Sequence, residues 1–149
     1  MKISTKVECG IIALVDICIH SAGEGVVTVV NISRRQDISA KYLEQILPLL
    51  RHAGIIRSVK GANGGYSLAK AAENVSLRQV INALDSAVLE DVKFKGREDS
   101  IIADAVSECL WNKMTSYLQD FADSVSIRDI ADKYTSLSDS SYSEPMYYI

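Results

Sequence analysis

The segment from residue 38 to residue 68 constrains the fold more than any other part of the chain. Four apolar residues in it recur at helical spacing: Leu43, Ile46, Leu47 and Leu50. Ser39 stands before them as a helix N-cap and Gly54 after them as a C-terminal glycine, so a helix with one buried face is predicted. Pro48 lies inside this helix and is expected to kink or tighten it, because proline lacks a backbone N–H.

A β-hairpin is predicted directly after this helix. Residues 55–60 and 65–68 alternate in the manner of strands, and the turn sequence Gly61-Ala62-Asn63-Gly64 separates them. Asn-Gly is a strong hairpin signal because both residues tolerate positive φ.

The residues before this segment complete a recognisable order of elements. A helix is predicted over residues 4–21, with Ser4 or Thr5 as its N-cap, then a short strand over 26–29 and a brief helix over 30–36. A turn at residues 36–37 leads to Ser39, and a further helix over 76–85, with Ser76 as its N-cap, packs behind them. The predicted fold is therefore mostly α with a small β-hairpin: a winged helix-turn-helix.

A long helix is predicted in the second half of the chain, over about residues 100–123. It carries an apolar stripe made of Ile102, Val106, Leu110, Met114, Tyr117, Leu118 and Phe121. We expect a second copy of the chain to bury this stripe in a homodimer, and packing within one chain is the alternative.

The expected organisation has four parts. Residues 1–85 form the winged helix-turn-helix DNA-binding domain and residues 86–99 a connector. Residues 100–135 form a dimerisation helix region, which includes a short helix over 126–134. Residues 136–149 form a flexible C-terminal tail, because they are rich in Ser and Asp.

The net charge of −3 hides two opposite halves. Residues 1–72 carry nine Lys and Arg against five Asp and Glu, a net +4, whereas residues 73–149 carry seven against fourteen, a net −7. A basic front half and an acidic back half suit a DNA-binding domain joined to a part that faces away from DNA. Chance clustering of solvated charges is the alternative.

Several other classes of protein are not indicated. No apolar run approaches the roughly 18 residues of a membrane span, and the first residues do not resemble a signal peptide, so a cytoplasmic location is expected. His20 and His52 are isolated and no catalytic arrangement is visible, so an enzyme is not expected. Cys9 and Cys18 point to opposite faces of one helix and cannot share a metal or a disulfide. We expect no cofactor and no metal, with each cysteine, Cys109 included, a reduced buried thiol.

The chain resembles the Rrf2 family of bacterial repressors. The resemblance rests on the opening MKISTK, on the run ISAKYLEQILPLLRHAGIIRSVKGANGGYSL at residues 38–68, and on Leu110-Trp111. The cluster-free branch of that family, which represses cysteine-metabolism genes, is the better match. The other branch carries three closely spaced cysteines before the long helix, where residues 86–108 here contain neither Cys nor His. The alternative function is a redox-responsive or iron-sulfur-responsive regulator of the same family, with ligands borrowed from another chain.

A winged helix-turn-helix needs two kinds of DNA contact. The candidates for phosphate contacts are Lys2, Ser4, Thr5, Arg34 and Arg35. The candidates for base contacts in the major groove are Ser39, Lys41, Tyr42 and Gln45, of which Tyr42 has packing as its alternative role. The candidates on the wing are Lys60, Asn63 and Gly64, where Gly61, Gly64 and Gly65 let the backbone approach the minor groove.

The C-terminal tip suggests how a signal reaches the protein. Met146-Tyr147-Tyr148-Ile149 is apolar and aromatic. The resemblance implies a use, because the cysteine-metabolism repressors end in Tyr-Ile and act with O-acetylserine thiol-lyase (cysteine synthase), whose active site accepts C-terminal isoleucines. Tyr148 and Ile149 are therefore the expected partner-binding residues. Three alternatives stay open: the tip packs against its own dimer, Cys109 senses the signal as a reactive thiol, or the winged helix binds only protein.

Overall fold

The computed structural model describes residues 3–142. Its elements, in chain order, are α1 (Thr5–His20), α2 (Val29–Gln36), α3 (Ala40–His52), β1 (Ile56–Val59), β2 (Gly65–Leu68), α4 (Leu77–Asp85), α5 (Ile101–Val106), α6 (Asn112–Ser124) and α7 (Ile127–Tyr142). Short 3-10 turns lie at Ala72–Asn74 and Ser86–Leu89. The predicted class, mostly helical with one antiparallel hairpin, is confirmed. Between residues 3 and 142, no helix combines the length and the apolar character that crossing a membrane requires.

One core joins α1 to α4 and the hairpin. All four apolar residues of the predicted α3 face are buried in it, together with Leu14 and Ile17 of α1 and Ile32 of α2. The amphipathic pattern of α3 therefore predicted its buried face correctly. Cys18, expected in the core, is only partly buried at its edge.

Side-chain caps fix where the helices of this region begin. The Oγ of Ser4 accepts a hydrogen bond from the Val7 N–H at 3.3 Å, so Ser4 rather than Thr5 caps α1. Ser39 and Ser76 cap α3 and α4, as predicted. At the end of α3, Gly54 adopts a φ of +74°, which a glycine accommodates without strain. Pro48 is accommodated inside α3, which is one helix from Ala40 to His52.

The hairpin pairs Ile56 with Leu68 and Val59 with Gly65. Its turn is closed by a hydrogen bond from the Gly64 N–H to the Gly61 carbonyl at 3.0 Å, but the positive φ lies at Gly61, not at the Asn-Gly pair. The expected strand over residues 26–29 is wrong. Only Val27 pairs, through two hydrogen bonds with Tyr66 of 2.7 and 2.8 Å, because α2 begins two residues later.

The long helix is present but not uniform. The segments α5 and α6 are joined through residues 107–111, which form a π-helical segment in which the Asn112 N–H donates to the Ser107 carbonyl. Such a segment places one extra residue in a turn and shifts the phase of the side chains on either side of it. The expected helix over residues 100–123 is therefore found over 101–124, with this interruption.

The helix α7 is longer than expected. A short helix over 126–134 and a flexible tail from residue 136 were predicted, whereas α7 continues to Tyr142. Its hydroxyl side chains bond along the helix, since Thr135 and Ser141 donate to the carbonyls four residues earlier at 3.2 and 3.0 Å. The rest of the predicted tail, residues 143–149, lies outside the described residues.

The start of α7 is attached to the winged helix-turn-helix. The Ile127 N–H donates to the Val75 carbonyl, and the Leu77 N–H donates to the Val125 carbonyl, each at 2.9 Å. Ile127 is fully buried and α7 packs along α1. The second half of the chain is therefore anchored to the first at the beginning of α7.

Candidate DNA-binding surface

Helices α2 and α3 form the helix-turn-helix. Thr28 and Asn31 cap α2 reciprocally, each side chain bonding the other's backbone N–H at 3.1 Å. At its end, Asp37 adopts the left-handed conformation (φ 52°, ψ 44°), which lets the chain reverse within a few residues and enter α3 at Ser39. The turn predicted at residues 36–37 is therefore where the structure has it.

The face of α3 opposite the core is polar and open. Lys41, Glu44 and Gln45 are exposed, and in the part of the chain described here the side chains of Lys41 and Gln45 make no hydrogen bond or ion pair. Ser39 is exposed too, but its Oγ accepts from the Tyr42 N–H at 3.3 Å. Tyr42 is half-buried against the core, so packing accounts for at least part of its role. Two long polar side chains, Lys41 and Gln45, are thus left free to reach a ligand.

The tip of the wing presents Lys60 and Asn63, both exposed. The glycines beside them have a role inside the fold. A Cβ on Gly64 would lie 2.1 Å from the Val59 carbonyl oxygen, and one on Gly65 would lie 2.7 Å from that of Val27. The hairpin itself therefore requires glycine at both positions, independently of any contact that the wing makes with DNA.

The N-terminal end of α1 contributes a second polar element. Thr5 is exposed and Ser4 is half-buried as the cap, so the first backbone N–H groups of α1 point out of the helix beside them. Helix N-termini of this kind attract phosphate. Lys2, the remaining candidate at this end, lies outside the described residues.

The two arginines of α2 differ. Arg34 is exposed and has no partner among residues 3–142, whereas Arg35 is engaged by Asp16 of α1. The Nε and Nη2 of Arg35 donate to the two carboxylate oxygens of Asp16 at 3.0 and 2.7 Å. The Nε2 of Gln36 donates to the same carboxylate at 2.8 Å. No sequence pattern indicates this cluster, because its members are about 20 residues apart and belong to separate helices.

Burial and pairing act in opposite directions on Asp16. Burial of the carboxyl would raise its pKa, but the hydrogen bonds from Arg35 and Gln36 and the positive charge of Arg35 outweigh burial and lower it. The Asp16 side chain is completely buried. It is therefore a charged group held in the protein interior by its partners.

The cysteines do not form a site together. Cys9 and Cys18 are half-buried on α1, and burial is the main cause that raises the pKa of each thiol. Cys109 is exposed within the π-helical segment, so the expectation that it is buried is wrong. Across residues 3–142 there is no group of three His, Cys, Asp or Glu side chains that could hold a metal ion. The donor set around the connector does not fit an iron-sulfur cluster, which needs several ligands at one point.

A helix-turn-helix, a following hairpin wing and a free polar face on the second helix define the winged-helix class of DNA-binding regulators. The Rrf2 family model, described as an iron-dependent transcriptional regulator, matches residues 3–133. The chain belongs to the Rrf2 family, and it is a transcriptional regulator rather than an enzyme.

Individual relatives carry two different names. The HTH-type transcriptional regulator IscR of Pectobacterium carotovorum is 34% identical over 131 residues, which cover 87% of this chain and 79% of that protein. The solved structure of CymR, the global cysteine regulator of B. subtilis, has a TM-score of 0.74 at 28% identity and covers 89% of this chain and 98% of its own. The structure of T. potens IscR has a TM-score of 0.71 at 32% identity, covering 99% and 95%.

Proposed function

We propose that the chain is a cytoplasmic repressor that reads an operator with α3 in the major groove and the wing in the adjacent minor groove. The observation that carries this proposal is the division of α3 into a fully buried apolar face and an open polar face with Lys41 and Gln45. Exposed polar side chains on the first turns of a second helix are placed to reach base edges. Lys60 and Asn63 on the wing and Arg34 on α2 add the contacts that position the protein.

The experiment begins with selection of the preferred duplex from random DNA by the purified protein. Gln45→Ala is expected to cost about 1–3 kcal/mol at the selected site and to relax sequence choice. Lys60→Ala is expected to weaken all duplexes alike and to reduce the salt slope by about one. Lys133→Ala, which removes an exposed cation from α7, is the matched control and should change neither quantity. Unchanged binding by both test variants would show that the DNA-binding surface is placed wrongly.

We propose in addition that the regulator is a homodimer joined through the stripe of the long helix. Six of the seven predicted stripe residues on this helix are exposed to at least 39%: Ile102, Val106, Leu110, Met114, Tyr117 and Phe121. Large apolar side chains exposed in a row mark an interaction surface, and identical copies give a closed two-fold pair. A dimer predicts a selected operator with two half-sites, related by a two-fold axis and spaced by whole turns of DNA.

The regulated genes are proposed to be those of cysteine and sulfur metabolism. Two observations support this role: the likeness to CymR over most of both chains, and a connector without the ligands of a cluster. The signal would arrive as O-acetylserine thiol-lyase, with Tyr148 and Ile149 entering its active site.

The test of this partner is direct. Deletion of Tyr148 and Ile149 should abolish binding of the enzyme measured by calorimetry, and free O-acetylserine should compete with the full-length chain. Ser143→Ala, six residues before the end of the chain, is the control and should bind like the unchanged protein. Equal affinity with and without the last two residues eliminates this partner site.

A redox-responsive or iron-sulfur-responsive regulator is the second candidate, favoured by the exposure of Cys109 and by the relatives named IscR. An exposed thiol is accessible to oxidants. Operator affinity that falls on mild oxidation, stays constant in Cys109→Ser and still falls in Cys18→Ser would support a thiol sensor. Iron bound by the protein purified without oxygen would instead support a cluster.

A further inference from the structure

The carboxylate of Asp16 connects two helices that have different roles in the proposed DNA-binding surface. Asp16 belongs to α1, which supports the helix-turn-helix from behind. Its carboxylate accepts three hydrogen bonds, all from the last two residues of α2. The next residue, Asp37, makes the left-handed turn into α3. Asp16 therefore fixes the chain at the point from which the direction of α3 is set.

The chemistry of this contact is directional. A guanidinium that meets a carboxylate through two N–H groups fixes both the distance and the relative plane of the groups, which an apolar contact does not. Asp16 is the one ionisable side chain that is buried in the described part of the chain. Burying a charge costs free energy that an apolar contact would not. The ion pair therefore fixes the relative orientation of α1 and α2 but stabilises the fold less than an apolar contact would.

The position of Arg35 differs from that expected of an arginine that binds phosphate. Its side chain is about one-third exposed and lines a cleft between α1 and α7, together with Ile130 and Tyr134. Two of its N–H groups are used by Asp16. Its neighbour Arg34 has no such partner in the described residues and is fully available.

We propose that Asp16 is a positioning residue for sequence-specific DNA binding, and that it acts through Arg35 and Gln36 on the angle between α2 and α3. The inference rests on the proposed function, that is, on reading of DNA by α3. Loss of the carboxylate is expected to leave phosphate contacts in place and to misalign the side chains that reach bases. Specific affinity should then fall more than non-specific affinity.

The experiment measures binding to the selected operator and to a scrambled duplex of equal length, over a series of salt concentrations. Asp16→Asn keeps the shape of the side chain but turns an amide N–H₂ toward the donors of Arg35. We expect about a tenfold loss at the operator, less than about a threefold loss on scrambled DNA, and an unchanged salt slope. Asp123→Asn removes the carboxylate of an exposed pair, whose Arg78 lies 2.7 Å away, and should leave all three quantities unchanged.

Two more variants separate positioning from phosphate binding. Arg35→Met should mimic Asp16→Asn, and the double variant should lose little more than either single one, because the two residues act as a unit. If Arg35→Met instead weakens both duplexes equally and lowers the salt slope by about one, Arg35 binds phosphate and the proposal is wrong.

Failure of the positioning proposal and failure of the proposed function give different results. An Asp16→Asn protein that unfolds cooperatively and keeps its ratio of operator to scrambled affinity within about twofold overturns the proposal. If that variant does not fold, Gln36→Ala, which removes one of the three hydrogen bonds, is the deciding variant. A smaller fall in the ratio of operator to scrambled affinity supports the proposal, and an unchanged ratio overturns it. If the unchanged protein prefers no duplex at all, the proposed function fails instead.

Discussion

The two ends of the molecule bury their apolar residues in different ways. In α1 to α4 and the hairpin, most large apolar side chains are packed into one core, and Leu14, Leu43 and Leu47 are completely inaccessible. In the long helix, Tyr117 is 73% exposed and Phe121 is 63% exposed. The first region is complete within one chain, whereas the second leaves unburied the surface that a partner would cover. The opposite net charges of the two halves follow the same division.

The largest effect is expected in the core of the first region. Leu47→Ala removes a completely buried side chain between tightly packed helices, so the free energy of unfolding should fall by about 2–5 kcal/mol. Urea unfolding at one fixed protein concentration measures it. Leu137→Ala, on a residue that is 57% exposed in α7, should cost less than about 0.5 kcal/mol. Equal costs would contradict the contrast between the regions.

The next effect tests the exposed stripe. Phe121→Glu places a charge in the proposed dimer interface and should raise the dimer dissociation constant about 100-fold, equivalent to about 2.7 kcal/mol. Sedimentation over a range of concentrations measures this constant. Ser116→Glu adds the same charge to the opposite side of α6, where it is exposed, and should leave the dimer intact. Normal dimerisation of the Phe121→Glu protein would remove the stripe from the interface.

A smaller effect concerns the pH dependence that Asp16 gives to the first region. Its folded pKa is lowered, so its contribution to stability is complete above the ordinary carboxyl pKa of about 3.9 and is lost as pH falls through the lowered value. Asp16→Asn should therefore be less stable than the unchanged protein by about 1–3 kcal/mol at pH 7. The difference should narrow in acid. Urea midpoints at pH 7, 5, 4 and 3 test this, and a gap that widens in acid contradicts it.

The smallest effect compares two matching helix caps. Thr28 begins α2, and Ser126 begins α7 with a reciprocal pair of bonds to Asp129 of 2.8 and 3.2 Å. Thr28→Ala and Ser126→Ala should each cost about 0.5–2 kcal/mol, since the local geometry is the same. A cost at Thr28 with none at Ser126 would mean that α7 contributes nothing to the cooperative fold of the isolated chain.

Local signals in the sequence predicted most of the winged helix-turn-helix. The spacing of apolar residues predicted the buried face of α3, and residue type predicted the N-caps Ser39 and Ser76. These two signals are readable from the sequence because each depends only on neighbours within a few positions. The strand over 26–29 was not correctly predicted, since Thr28 caps α2 and Val29 already belongs to that helix. The extent of α7 was missed because the Ser and Asp content of residues 136–142 outweighed Leu137, which continues the helical spacing of Ile130 and Tyr134.

The candidate site was predictable where exposure follows from helix periodicity, as for Lys41 and Gln45. It was not predictable where tertiary packing decides. Arg34 and Arg35 are neighbours of identical chemistry, and only the approach of α1 separates a free arginine from one that Asp16 holds. The glycines of the wing were expected to serve an approach to DNA, whereas the hairpin itself requires Gly64.

The attachment of α3 has a consequence for evolution. The helix is held by its apolar face, and α2 is held from the side by Asp16, so neither support uses the open face that carries Lys41 and Gln45. Substitutions on that face therefore cost little stability. If α3 reads DNA as proposed, a duplicated gene can change operator preference on this face one residue at a time while the scaffold stays the same. A designer who retargets this regulator has the same freedom.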